Sequence, residues 1–108
     1  MKDVIFIDSA LDDLRAFPPT ARQRAGFQID TVQRSKDPSD WRPMQAIGAG
    51  VREIRIHAEG AFRVIYVAKF EEAVYILHCF QKKSQKTRQA DIDMAKTRYQ
   101  AMIKMRNP

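Results

Sequence analysis

From Val51 onward the apolar residues fall at every second position, and with two short breaks they continue to do so as far as Gln81. A period of two is the spacing of a pleated strand, whose successive side chains point to opposite faces. The breaks are Glu59-Gly60 and Glu71-Glu72, each short enough to reverse the chain. Three strands joined by two tight turns predict an antiparallel meander over Val51–His57, Ala61–Phe70 and Ala73–Gln81. In the middle strand Phe62, Val64, Tyr66, Ala68 and Phe70 share one side, while Arg63, Ile65, Val67 and Lys69 share the other. With the aromatic side packed on helices, Arg63 points away from them and is exposed on a concave sheet.

The first half of the chain reads differently. Val4 to Ile7 is a β-prone run, either a strand with both faces covered or the first strand of a small sheet. Ser9 is placed to cap a helix, with Asp12 approximating a capping box; Leu11, Leu14 and Phe17 form its stripe, and Pro18-Pro19 ends it. Ala21, Ala25, Ile29 and Val32 recur at helical spacing, so a second helix follows, begun by Pro19 or capped by Thr20. Residues 35–50 hold prolines, glycines and aspartates and read as an irregular connection that folds Trp41 back onto the core. After Lys86 the helical period returns, with Ile92, Ala95, Tyr99, Met102 and Ile103 on one stripe. The order β-α-α-β-β-β-α predicts a small α+β domain over residues 1–108, its mostly antiparallel sheet covered by helices on one face.

At 108 residues the chain is long enough to bury a core without disulfides or a metal. The lone Cys79 sits in an apolar run, which fits a small buried hydrophobe in a reducing cytosol and rules out a disulfide scaffold. The opening apolar stretch meets Asp8 too early for a signal peptide, and no run approaches the ~20 apolar residues of a membrane span. A cytoplasmic protein without membrane contact is the expectation.

The net charge of +6 is confined to one end. Residues 1–81 balance eleven basic against eleven acidic side chains; residues 82–108 hold eight basic ones and only Asp91 and Asp93. A local positive field of this kind attracts RNA, DNA or an acidic protein. The sharpest constellation is Arg52, Arg55 and Arg63 on adjacent strands, followed by Lys82, Lys83 and Lys86, all expected to converge at one end of the sheet. Guanidinium forks match phosphate oxygens and stabilise the extra charge of a pentacoordinate phosphorus. A lysine among other cations has its charged form disfavoured, which moves it toward proton transfer near neutral pH. The plainer reading is a set of surface cations guarding a sheet edge.

His57 and His78 are the only imidazoles. His57 falls at a strand end, and His78 shares a strand with Val74, Ile76 and Phe80, so a structural His78 is the default over a base or an RNA-stacking role. Cys79 beside His78 has no partners at ligand spacing, which predicts a metal-free protein with no cofactor. No serine stands in a glycine-flanked elbow and no glycine loop cradles phosphate, so hydrolase triads and nucleotide-dependent chemistry are excluded.

The segments Val51-Arg52-Glu53-Ile54-Arg55-Ile56, Phe62-Arg63-Val64-Ile65-Tyr66 and Leu77 to Thr87, containing Phe80-Gln81-Lys82-Lys83-Ser84-Gln85-Lys86-Thr87, resemble the RelE/HigB superfamily of toxins, nearest to its phage-derived HigB-like subgroup. The resemblance spans nearly the whole chain in element order. It implies the toxin of a type II toxin–antitoxin module, a metal-independent endoribonuclease that cuts mRNA on the ribosome by attack of the 2′-hydroxyl on the adjacent phosphate. It implies as partner a small helix-turn-helix antitoxin whose acidic surface covers the cations. Arg63 matches the family's strand arginine, with Lys82 and Lys83 as further catalytic candidates. Arg52, Arg55, His78, Gln81, Lys86 and Arg88 would bind RNA. Tyr99 falls on the apolar stripe of the last helix rather than at an acid–base position, so the general base stays open between Lys82 and Lys83, with His78 behind them. The alternatives are a phage-derived nucleic-acid-binding protein without chemistry and a structural prophage protein.

Overall fold

In a computed structural model that describes residues 1–107, eight elements follow one another: β1 (Asp3–Phe6), α1 (Ala10–Arg15), α2 (Pro19–Gln33), β2 (Trp41–Pro43), β3 (Val51–His57), β4 (Ala61–Val67), β5 (Ala73–Lys82) and α3 (Gln89–Arg106). The five strands form one mixed sheet in the order β1-β5-β4-β3-β2. The meander β3-β4-β5 is antiparallel as its alternation predicts, and β1 pairs parallel with β5, while the α1–α2 crossover carries the chain from β1 to β2 at the opposite edge. The α+β class and the element order are those read from the sequence, apart from the short β2 within residues 35–50.

The alternation fills both faces of the sheet. Ile54, Ile56, Phe62, Val64, Tyr66, Val74 and Ile76 pack against Ala10, Leu14, Ala21, Ala25 and Ile29 of α1 and α2. Val51, Ile65, Val67, Tyr75 and Leu77 pack on the other side, against Ala95, Tyr99 and Met102 of α3. Helices on one face only is therefore corrected to α1 and α2 on one face and α3 on the other. The apolar stripe of α3 demands a second greasy surface, and Ile65 and Val67, on the same side as Arg63, provide it. β4 also ends at Val67 rather than Phe70, so Phe70 leaves the aromatic face and joins the α3 core.

Local chemistry sets the ends of the helices. Pro19 occupies the first turn of α2, where its missing N–H costs nothing. That helix stops in a Schellman turn: the N–H of Lys36 donates to the Thr31 carbonyl, the N–H of Ser35 donates to that of Val32, and Ser35 takes φ 63. The capping box expected at Ser9 does not form. The Ser9 hydroxyl donates instead to Asp13 at 3.3 Å and accepts from Arg98 Nη2 at 2.7 Å, so it ties α1 to α3. The loop before β3 lies over α3 so closely that a Cβ on Gly48 would fall 2.6 Å from the Tyr99 ring. Among the described residues no helix is long and apolar enough to cross a membrane.

Candidate functional site

α3 covers only part of its face of the sheet. Strand register shows what lies beyond it: Arg42 opposes Glu53, Arg55 opposes Arg63, Arg63 opposes Phe80, and Ala61 opposes Lys82. Cross-strand partners share a face, so Arg42, Glu53, Arg55, Arg63 and Lys82 emerge together on the α3 side.

At the centre is Glu53, which is completely buried. Its Oε1 lies 3.1 Å from Arg42 Nε, 3.5 Å from Arg55 Nε and 3.7 Å from Arg63 Nε. Only the Arg42 contact is a well-formed hydrogen bond. One carboxylate cannot neutralise three guanidiniums, so the group keeps a net positive charge where low dielectric makes it felt. Above it opens a groove of about 500 Å³ lined by Arg42, Arg55, Lys82, Gln85, Lys86 and Thr87, with Met44 and Ile92 as its apolar walls. The Thr87 hydroxyl is buried beside the groove without a hydrogen-bond partner.

Arg63 is not the exposed guanidinium that alternation alone predicts. It is 5% exposed, its Nη1 donates to the Phe62 carbonyl at 3.0 Å, and it does not line the groove but sits beside Arg55 and Glu53 beneath the residues that do. Its pKa is lowered, first by burial and against the pull of Glu53, with Arg55 and Arg42 adding repulsion. Lys82 stands higher, part-exposed. Burial first and the Arg63 charge second hold its ammonium below the ordinary 10.5.

The other residues expected at the site separate into three groups. Lys86 lines the groove, whereas Lys83 is exposed beyond the strand end and does not line it. Arg52 and Gln81 are on the opposite face: Arg52 opposes Tyr66 and lies 4.2 Å over the Trp41 ring, and Gln81 opposes Phe62. Convergence of Arg52 with Arg55 is thereby corrected, because three residues along a strand is an odd step and odd steps change face. His78 is buried against Asp91, and the exposed Arg88 reaches the same carboxylate from outside. His78 Nε2 lies 2.8 Å from Asp91 Oδ1, the His78 ring stacks on Phe80 at 4.9 Å, and Arg88 Nε donates to Asp91 Oδ2 at 3.3 Å. Arg98, 4% exposed, donates to the Leu77 carbonyl at 3.0 Å and to Ser9. His78 is buried off the groove, and its contact with Asp91 ties the start of α3 to β5. His57 is exposed and pairs with Asp40 at 3.2 Å, far along the chain from these contacts.

Arg42 and Glu53 were not singled out by the sequence reading. Arg42 is concealed by its neighbourhood of prolines and aspartates, which reads as loop. Glu53 carried a usable signal: it is an acid on the same strand face as Arg55, flanked by the apolar Ile54 and Ile56 of the opposite face. The basic excess after residue 81 is also less available than its count implies, since Arg98 is buried and Arg106 is engaged by Glu72 at 2.6 Å and by the Phe70 ring at 3.4 Å. Among the described residues no group of three or more His, Cys, Asp or Glu is arranged to hold a metal ion. Burial pushes the Cys79 thiol up to about 12, so it stays protonated and inert.

A small α+β domain whose sheet ends in an uncovered cationic groove is the class that this fold and site define. Residues 12–100 match the family model described as Phage derived protein Gp49-like (DUF891), and the chain belongs to that family, one of RelE/HigB-like toxins. No curated protein matches the chain.

Proposed function

We propose that the protein is a toxin of a type II toxin–antitoxin module, of the HigB-like kind, and that its groove is a metal-independent endoribonuclease site for mRNA. The observation that carries this reading is the convergence of Arg42, Arg55, Lys82 and Lys86 around one groove above a buried, undercompensated Arg63–Glu53 pair. Such a groove takes a phosphodiester: Arg42 and Arg55 hold its oxygens and gain strength as charge builds in the phosphorane.

In this reading Lys82 is the general base. Its pKa is lowered by burial and by Arg63, so more of it is the neutral amine at a given pH than for an ordinary lysine. The neutral amine takes the proton of the ribose 2′-hydroxyl as that oxygen bonds to phosphorus. The bond from phosphorus to the 5′-oxygen breaks, and that oxygen is protonated by Lys86 or by water. The products are a 2′,3′-cyclic phosphate and a 5′-hydroxyl. Arg63 is a positioning residue here: from beneath the groove it fixes Glu53 and, through it, Arg42 and Arg55, and it keeps Lys82 in its less charged state. Lys83, being off the groove, contributes to the field around the RNA and not to proton transfer. A small acidic antitoxin covering the groove would silence the protein by charge complementarity, and the ribosome would present the message.

Purified protein incubated with RNA, on ribosomes and free, tests this reading. Cleavage is expected to leave cyclic-phosphate ends and to rise with pH through an inflection below 10.5 that reports Lys82. Lys82→Met should lower the rate by about 10²–10⁴. RNA that is bound in a salt-dependent way but never cut, by protein shown to be folded, would leave a binding protein without chemistry.

A further inference from the structure

The opposite face of the sheet carries a second positive cavity that the groove does not explain. It measures about 200 Å³ and is walled by Lys2, Lys36, Arg52, Asp37 and Tyr66. Three cations stand around one carboxylate, and that carboxylate is already engaged, with Arg52 Nη1 donating to Asp37 Oδ1 at 3.1 Å. The Trp41 ring beneath Arg52 fixes the plane of its guanidinium.

Tyr66 makes this cavity unusual. The residue is 1% exposed, and its hydroxyl makes no well-formed hydrogen bond, the Arg52 guanidinium being its polar neighbour. A buried hydroxyl without a partner costs about 1–3 kcal/mol, which a sequence tolerates where something else occupies the position. Burial pushes the phenol's pKa up, with the neighbouring Arg52 drawing it back, so at neutral pH the group is an O–H donor. The end of α2 would ordinarily bring negative carbonyl ends to this place. Here they are occupied: the Thr31 and Val32 carbonyls accept from Lys36 and Ser35, and the Gln33 carbonyl accepts from the N–H of Lys2. The same turn, with Ser35 at φ 63, brings Lys36 to the cavity wall.

We propose that this cavity is a binding site for a phosphoryl group, with Arg52 and Lys36 supplying charge and the Tyr66 hydroxyl donating the orienting hydrogen bond. The volume is below the 300–1,000 Å³ typical of sites that enclose a whole small molecule, so only the phosphoryl end enters and any ester group stays outside. The ligand bridges the start of β1, the end of α2 and the start of β3. It therefore stabilises the folded chain by mass action. Arg52 and Glu53 point to opposite faces, so this site is separate from the groove and does not depend on the nuclease reading.

The test uses the full chain titrated with inorganic phosphate and, separately, with glycerol phosphate, at constant ionic strength against chloride. Binding is followed by the melting temperature and by ¹H–¹⁵N spectra that include the arginine Nε–H groups. Saturable shifts are expected at Arg52, Ser35 and Lys36. Tyr66→Phe should weaken binding by about tenfold or more while leaving the unliganded protein at least as stable as before, because the hydroxyl it removes is buried without a well-formed hydrogen bond. Arg52→Ala should abolish binding, and Lys82→Met should leave it unchanged. Binding of either ligand supports the site, and the tighter of the two names the source. Three results overturn it: no saturable binding of either; equal affinity in Tyr66→Phe; or saturable shifts centred on Arg55 and Lys82.

Discussion

Along β3, β4 and β5 the residues on the α3 side are apolar at one end and charged at the other. The row Val51, Val67 and Tyr75 lies under α3, whereas Arg55, Arg63 and Lys82 lie beyond it, with Phe80 of the α3 core at the border. Both ends are made by the same three strands, with a shift of the β4–β5 register at Ile65/Tyr66 between them. The apolar end needs a partner and takes Ala95, Tyr99 and Met102; the charged end cannot be covered by an apolar helix face and stays open. Apolar packing is therefore concentrated under α3 and positive charge beside it, on one continuous surface. Coupling between the ends runs through the His78–Asp91 contact, which anchors the first turn of α3 at the border.

Substitutions at each end should separate these roles. Glu53→Ala has the largest expected effect, because it leaves Arg63 buried with no counter-charge; Arg42 and Arg55 are part-exposed and recover solvent. A loss of about 3–5 kcal/mol in urea unfolding is expected, what breaking a buried ion pair costs. Met102→Ala, at the fully buried centre of the covered end, should cost about 2–5 kcal/mol in the same measurement. Cleavage per folded molecule should be unchanged, and loss of activity in protein shown to be folded would mean that the two ends are not separable. Lys82→Met should reverse the pattern, changing stability by less than about 0.5 kcal/mol while lowering the cleavage rate.

The smallest effect concerns pH. The Arg106 hydrogen bond first, then the Glu72 backbone N–H and Tyr75, hold the Glu72 carboxyl down to about 2. A depressed carboxyl contributes stability that is present above its unfolded value of 4.5 and is lost as pH falls through about 2. Glu72 and Arg106 are exposed enough for water to screen the pair, so Glu72→Gln should flatten the acid limb of an unfolding curve only slightly. No change between pH 5 and 7 is expected in that variant.

The same comparison shows why the sequence was legible in some places and opaque in others. Period two in residues 51–81 and period 3.6 after Lys86 are direct consequences of burial, and both elements form where those periods place them. What periodicity cannot report is which face of the sheet a later helix will choose. Ile65 and Val67 held that answer, but they alternate with Arg63 and Lys69, so the face read as polar. Arg63 was placed on the correct strand and at the correct end, yet its burial depends on Glu53 and Phe80 from two other strands. Lys82 and Lys86 were found because charge clusters are visible in one dimension. Arg42 was hidden because a three-residue edge strand containing Pro43 has no period. Arg52 was misplaced although parity alone separates it from Arg55.

The account rests on the open end of the α3 face being where RNA is held. A short RNA with a 2′-deoxy substitution at the scissile position binds without being cut, so its footprint can be followed residue by residue in ¹H–¹⁵N spectra. Perturbations centred on Arg42, Arg55, Lys82 and Lys86, weakened by added salt, are the predicted result. A footprint on the α1–α2 face that leaves those four residues unshifted would contradict it.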